Sequence, residues 1–209
     1  MEALILGALR WELTVPSAVG IFLLRRPIIE ALLQHGEFTA ADARTVAQTL
    51  GAFALGLPAF STYLFVLRGF YAQLDTRTPF FINSVECVLN VSIGWVLVGR
   101  YGVPGLAASF SIAYGISALG AGALLLRRSA GFDLRRLGES FARVLAATAV
   151  MAVVVSLVGL VLDGDGAFGS AIHLIVGVGV GLAAYLAAMI ALRSTDITDV
   201  MRALGLRRP

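Results

Sequence analysis

Residues 45–67 read Thr-Val-Ala-Gln-Thr-Leu-Gly-Ala-Phe-Ala-Leu-Gly-Leu-Pro-Ala-Phe-Ser-Thr-Tyr-Leu-Phe-Val-Leu, an uncharged run of 23 residues between Arg44 and Arg68. A helix of about 20 apolar residues crosses the hydrocarbon core of a bilayer. In lipid the chain must satisfy its own backbone groups, and an α-helix does so within the segment. Three further charge-free runs have the same character: 26 residues between Arg100 and Arg127, 19 between Arg143 and Asp163, and 27 between Asp165 and Arg193. Two more apolar segments are interrupted by charge, 3–24 by Arg10 and Glu12, and 79–98 by Glu86. The pattern predicts six transmembrane helices, over 3–24, 45–67, 79–98, 103–126, 143–162 and 168–192. The fold class is all-α, a polytopic membrane helix bundle.

Composition agrees. Of 209 residues, 58% are hydrophobic and 14% charged, with a mean hydropathy of +0.88. Soluble domains carry roughly 25% charged residues, so a soluble globular enzyme is excluded. A disordered chain is excluded as well, because disorder requires low hydrophobicity. Cys87 is the single cysteine, which leaves no disulfide framework and no cysteine metal cluster. His35 and His173 are too far apart to suggest a ligand pair. Neither cofactor nor metal is expected. No secretory signal peptide is evident, since Met1-Glu2-Ala3 lacks a basic start.

All 16 basic residues are arginine. In a membrane protein, a net charge of +3 bears on loop orientation rather than on nucleic acid, and no nucleic-acid partner is expected. With six spans, one side holds Arg68, Arg77, Arg127, Arg128, Arg135, Arg136, Arg193, Arg202, Arg207 and Arg208. The other holds Arg25, Arg26, Arg44 and Arg100, offset by acids. Arginine excess marks the cytoplasm, so both termini are expected there. The organisation read from these boundaries is four spans in 1–128, a cytoplasmic loop in 129–142, and two spans with a cytoplasmic tail in 143–209.

Local signals refine the spans. Pro27-Ile-Ile-Glu-Ala-Leu-Leu is short and amphipathic, read as an interfacial turn or an extension of the first span, with Gly36 ending it. Thr39-Ala-Ala-Asp42 has the capping-box spacing and predicts that Thr39 opens the next helix. Pro16 and Pro58 lie inside spans, where proline removes a backbone donor and kinks the helix. Pro58 serves as a hinge or as a static, well-packed kink. Ser109, Ala113, Ser117 and Ala121 recur every four residues, and Gly177 and Gly181 form a GxxxG. Both patterns allow helices to approach closely.

The third span carries the chemistry. Asn83, Glu86 and Asn90 fall at i, i+3 and i+7, on one helical face. An acid at mid-bilayer costs about 2.5–3.5 kcal/mol even on mild insertion scales. The stripe therefore lines a water-filled cavity or cation site, or Glu86 reaches a partner or the interface. Arg10 and Glu12 pose the same choice in the first span, as a cavity-facing pair or as residues near an interface. Between the second and third spans, Arg68-Gly-Phe-Tyr-Ala-Gln-Leu-Asp-Thr-Arg-Thr-Pro79 reads as an aromatic anchor followed by a tight polar turn. Pro79 loses no needed donor at a helix start. Arg68 and Arg77 attract a phosphate or an anionic headgroup, or simply anchor the loop.

That stretch resembles the signature of the MurJ/MviN family, lipid II flippases of the MOP transporter superfamily. The matching residues are Phe70-Tyr71-Ala72, Asp75-Thr76 and Thr78-Pro79. Pro16-Ser-Ala-Val, Pro27-Ile-Ile, Gly36-Glu-Phe-Thr39, Leu55-Gly56-Leu57, Asn90 and Gly105-Leu-Ala-Ala-Ser109 are similar too. The resemblance implies the last six of about fourteen helices, with the N-terminal lobe absent from this chain and a possible partner. It implies movement of undecaprenyl-diphosphate-linked peptidoglycan precursor, lipid II, across the bacterial cytoplasmic membrane, with no covalent chemistry. Glu86, Asn83 and Asn90 would line the cavity, Arg68 and Arg77 would sit at its cytoplasmic mouth, and Pro58 would allow bending. Helices 143–162 and 168–192 would line the groove for the polyprenyl tail. Asn90 resembles one sodium ligand of some members, but the carboxylate expected one turn on is Gly94 here; the coupling ion is open. Other readings are a MOP-type exporter of polysaccharide lipids or drugs, and a truncated, non-transporting membrane partner. A membrane-embedded transferase would need acids or histidines clustered at one interface, and Glu30, Glu37 and Asp42 around His35 are too dispersed.

Overall fold

The computed structural model describes residues 2–33, 38–128, 134–162 and 167–192; the side chains of 2–11, 134–137 and 167–168 are not described. These residues form six helices: α1 Glu2–Leu33, α2 Ala40–Ala72, α3 Arg77–Tyr101, α4 Val103–Arg128, α5 Leu134–Val161 and α6 Ala167–Ala191. Five of them, α2 to α6, are long and apolar enough to cross a membrane. α1 carries Arg10 and Glu12 within its apolar run 3–24, and Arg25, Arg26 and Glu30 beyond it.

The helices outrun the expected spans. Charge was read as a stop signal, yet a helix continues through charged turns once it has left the hydrocarbon. Pro27–Leu33 is an extension of α1 and not a separate interfacial turn. Residues 134–142, expected as loop, are the first turns of α5, which shortens the expected 129–142 connection. The stretch Leu-Arg-Arg-Leu-Gly-Glu-Ser-Phe-Ala has good helix formers at most positions. Gly36 lies outside the described residues.

Thr39 does open α2. Its hydroxyl accepts from the Asp42 amide at 3.3 Å, and the Asp42 carboxylate accepts from the Thr39 amide at 3.1 Å. That is the reciprocal arrangement of a capping box. α3 turns into α4 across one residue, Gly102, at φ +63. Only glycine enters that region freely, so Gly102 lets α4 fold straight back along α3.

The bundle has two halves. In one, α4 packs along both α2 and α3, while α2 and α3 barely meet. In the other, α1, α5 and α6 pack mutually. Contact between α1 and α2 joins them, through Ile29, Ala43 and Ala47. The first half buries Val66, Phe70, Ala121 and Leu125, beside Tyr63, Leu67 and Ala118. The second buries Leu24, Ala147, Met151, Val155, Tyr185 and Met189. Small residues set the separations. Ser109, Ala113, Ser117 and Ala121 are all buried, as their four-residue spacing predicts. Gly177 faces Leu24 of α1, and Gly181 faces Val155 of α5, so this GxxxG serves two neighbours at once.

Candidate functional site

Proline 79 sits in the first turn of α3, buried, and Glu86 follows two turns later. Nine residues in from Arg77, it lies about 14 Å along the helix. Only 5% of Glu86 is exposed, so neighbouring side chains cover it. Its Oε1 has no hydrogen-bond partner. Asn83 accepts a hydrogen bond from the Tyr63 hydroxyl of α2 at 3.1 Å. Asn90 accepts one from the Ser109 hydroxyl of α4 at 3.0 Å. The polar stripe of α3 thus meets both neighbouring helices of its half, with an under-satisfied carboxylate between its two amides. Ser117 on α4 is likewise buried, with an unpartnered hydroxyl. A buried polar atom without a partner is costly, and in a membrane helix it is a functional-site signal.

Gly94, one turn beyond Asn90, lies tight against α4. A Cβ there would stand 3.2 Å from the Ser109 hydroxyl and 3.4 Å from Leu106. A side chain at 94 would need the Ser109 and Leu106 side chains to give by a few tenths of an ångström. The described residues also hold no cluster of three or more His, Cys, Asp or Glu.

Around the stripe, α2 and α4 are joined by aromatic rings. Phe53 and Phe60 contact Phe110 at centroid distances of 5.3 and 5.9 Å, and Tyr114 meets Phe60 at 4.9 Å and Tyr63 at 5.2 Å. Tyr63, which holds Asn83, is therefore itself oriented by Tyr114. Below the rings, Ser111 donates to the Ala52 carbonyl of α2, and a Cβ on Gly56 would come within 2.9 Å of the Ser111 Cα. Pro58 lies one turn beyond Ala54 in a helix that runs through it without a break. Sequence reasoning missed the ring ladder and the Ser111 link. Aromatic and small residues on two spans carried the signal, but nothing local assigned them to each other.

The motif loop is the most heavily bonded connection. α2 ends in a Schellman turn: the Leu74 amide donates to Tyr71 at 2.9 Å and the Asp75 amide to Phe70 at 3.1 Å. Leu74, at φ +58, takes the position usually held by glycine. The Asp75 carboxylate then accepts from the Thr78 amide at 3.0 Å and the Thr78 hydroxyl at 2.6 Å, capping α3. Arg128, at the end of α4, donates to Asp75 at 2.8 Å and to Thr78 at 3.1 Å. Its guanidinium also lies 5.8 Å from the Phe70 ring, which is fully buried. The Thr78 hydrogen bonds, reinforced by Arg128, hold the Asp75 carboxyl down to about 2. So Phe70, Asp75, Thr78 and Pro79 act together as a clasp, whereas Tyr71, Thr76, Arg68 and Arg77 are exposed. Arg128 entered the sequence reading only as one of the loop arginines; its pairing with Asp75, 53 residues away, has no local signature.

In the other half Glu12 is buried, and the Tyr185 hydroxyl of α6 donates to its backbone carbonyl. Ser170 donates to the Glu30 carboxylate at 2.8 Å, tying α6 to the far end of α1.

These features define a multi-pass membrane helix bundle whose two halves both bury polar side chains, Glu86, Ser109 and Ser117 in one and Glu12, Thr148 and Ser170 in the other. Residues 8–177 match the family described as lipid II flippase MurJ. A probable lipid II flippase MurJ of Thermotoga maritima is 32% identical over 145 residues, covering 69% of this chain and 29% of that protein. The lipid II flippase MurJ of Thermosipho africanus is 35% identical over 100 residues, 48% of this chain and 21% of that protein. A solved structure of lipid II flippase MurJ in an inward closed conformation superposes with a TM-score of 0.72 at 25% identity, over 96% of this chain and 38% of that one. The chain belongs to the MurJ lipid II flippase family, and spans less than a third of the length of these curated relatives.

Proposed function

We propose that this chain forms the C-terminal portion of a lipid II flippase, carrying undecaprenyl-linked peptidoglycan precursor between the leaflets of the bacterial cytoplasmic membrane by alternating access. The observation that carries this is the carboxylate of Glu86, kept within a spanning helix with one oxygen unpartnered in a chain of this family. A purely structural helix gains nothing from such a group. A translocation route needs polar groups that water or a headgroup reaches in one state and neighbouring helices cover in another. Asn83 and Asn90 flank Glu86 on that route, and their bonds to Tyr63 and Ser109 are the ones exchanged when α3 moves against α2 and α4. Pro58 lets α2 bend during the exchange. Arg68 and Arg77 place positive charge at the end where a diphosphate headgroup approaches, and the uncharged run of α5 beyond Arg143, with α6, suits an isoprenoid tail. Both termini lie in the cytoplasm on this reading. The reaction makes and breaks no covalent bond. The rest of the flippase fold, beyond these six helices, completes the cavity.

The test replaces the matching helices of a full-length relative with this chain, in a strain depleted of its own flippase. Rescue by the chimera, and its loss in Glu86→Leu at unchanged membrane levels, supports the reading. Full rescue by Glu86→Leu removes Glu86 from the mechanism.

A further inference from the structure

Pro16 interrupts the hydrogen-bond ladder of α1. Proline has no amide hydrogen, so the carbonyl four residues earlier loses its helical donor. For Pro16 that carbonyl belongs to Glu12, yet α1 runs unbroken from Glu2 to Leu33. The Tyr185 hydroxyl of α6 donates to this same Glu12 carbonyl oxygen at 2.5 Å. Glu12 and Tyr185 are both buried, so no solvent is at hand to replace the bond. In a bundle, neighbouring helices can re-satisfy a backbone group that proline frees. Pro58 of α2 provides the contrast. It releases the Ala54 carbonyl, while Ser111 of α4 donates two residues away, to Ala52. At Pro16 the outside donor and the released acceptor coincide.

That coincidence has a mechanical consequence. Sharp bends in helices occur where proline removes a rung, and the two arms of α1 are joined there by one bond fewer. A donor from another helix restores the rung at one angle between the arms, because a hydrogen bond weakens steeply as its approach departs from straight. Tyr185 stands on a firm mount, in the core with Leu24, Ala147, Met151, Val155 and Met189. α6 also has a second tie to α1, from Ser170 to Glu30 at 2.8 Å, about 22 Å away along α6. α6 therefore stays docked when the Tyr185 bond opens, and what is set free is the bend of α1.

We propose that Tyr185 and the proline gap form a latch: closed, α6 fixes the angle between the two arms of α1; open, Pro16 is a hinge. Tyr185 is a positioning residue, acting through the Glu12 backbone and not through contact with a transported molecule. The latch is a property of this chain alone and holds whether or not the chain transports a lipid. In a flippase it puts a moving joint in the half of the bundle that Pro58 does not serve.

The test uses the whole chain in mixed micelles, with the exposed Cys87 removed by Cys87→Ser and spin labels attached through Ala3→Cys and Leu32→Cys, on either side of the proline. Wild type gives one narrow distribution of label distances. Tyr185→Phe keeps the ring and removes the hydroxyl. It broadens the distribution and raises the unfolding equilibrium constant about tenfold, the effect of leaving one buried acceptor unsatisfied. Pro16→Ala returns the missing amide, so in that background Tyr185→Phe changes the constant by about twofold at most and no longer broadens the distribution. Ser170→Ala, which cuts the other tie, leaves the distribution narrow, and its cost is the same with proline or alanine at position 16. A distribution unchanged by Tyr185→Phe overturns the latch even if Pro16→Ala fails to fold. So does an equal cost of Tyr185→Phe in both backgrounds, or equal broadening by Ser170→Ala; either result would make the hydroxyl a general tie between α6 and α1.

Discussion

The two halves of the bundle are held by different chemistry. Between α2, α3 and α4 the contacts are directional: Tyr63 to Asn83, Ser109 to Asn90, Ser111 to Ala52, a ladder of rings, and the Asp75–Arg128 clasp. Between α1, α5 and α6 the core is methyl and methylene groups around Met151, Val155 and Met189, with glycines giving room, and two hydrogen bonds, Tyr185 to Glu12 and Ser170 to Glu30, tie α6 to α1. Directional contacts have few good arrangements, so the first half suits discrete states that exchange partners. Apolar burial has no preferred direction, so the second half suits sliding beside lipid. The glycines show the same contrast. In the first half a Cβ on Gly105 would lie 2.5 Å from the Leu97 carbonyl oxygen, and one on Gly56 within 2.9 Å of the Ser111 Cα. Both obstacles are backbone. In the second half Gly177 would meet the end of the Leu24 side chain at 2.9 Å, which can turn away, and Gly181 would meet the stiffer Val155 methyl at 2.8 Å.

The largest expected effect follows from that difference. Gly105→Ala and Gly56→Ala force two helices apart and cost about 2–3 kcal/mol or more. Gly177→Ala meets a flexible group and gains about 1 kcal/mol of helix propensity, so it stays within about 1 kcal/mol of wild type, with Gly181→Ala, against the stiff Val155, falling between. Unfolding in mixed micelles, followed by loss of helical circular dichroism, ranks the four. Equal costs in both halves would break the comparison.

A smaller effect distinguishes the clasp from the packing around it. The folded pKa of Asp75 is lowered, from 3.8 to about 2. A lowered carboxyl contributes stability above its unfolded value and loses it as pH falls through the folded one. Asp75→Ala should therefore melt below wild type at pH 7 and pH 5, and the gap should close between about pH 4 and pH 2. Ser170→Ala, which cuts the α6–α1 link in the other half, should cost about 1 kcal/mol at pH 7. Adding Arg128→Gln to Asp75→Ala should cost less than the two single changes together, because one bond is being removed twice.

How much of this could be read from the chain depends on range. Helix identity, the Thr39 cap and the four-residue seam of α4 are local, fixed by residues within one or two turns, and the sequence carries them plainly. The Asn83–Glu86–Asn90 face was legible for the same reason. What each residue meets across the bundle was not. Asn83 finds Tyr63, Asn90 finds Ser109 and Asp75 finds Arg128 only after helices pack, and no spacing rule encodes those partners. Charge misled at the helix ends, where 134–142 is helical despite Arg135, Arg136 and Glu139. Arginine stems reach back along apolar surface while their heads stay in water, so charge marks where the bilayer ends and not where the helix does.

The smallest expected effect lies in the clasp itself. Leu74 is 92% exposed and sits at φ +58, where a side chain costs about 1–2 kcal/mol. Leu74→Gly removes that strain without taking any apolar surface from the core. Glycine also gives the unfolded chain more freedom, which returns about 0.5–1 kcal/mol. The net gain is about 0.5 kcal/mol, a small rise in melting temperature, and Leu74→Asn should give a similar rise because asparagine tolerates this conformation. A fall in melting temperature with both variants would mean that the leucine earns its strained position through contact with lipid. The polar half would then lean on the bilayer as the apolar half does, and the contrast between them would narrow at its most tightly bonded point.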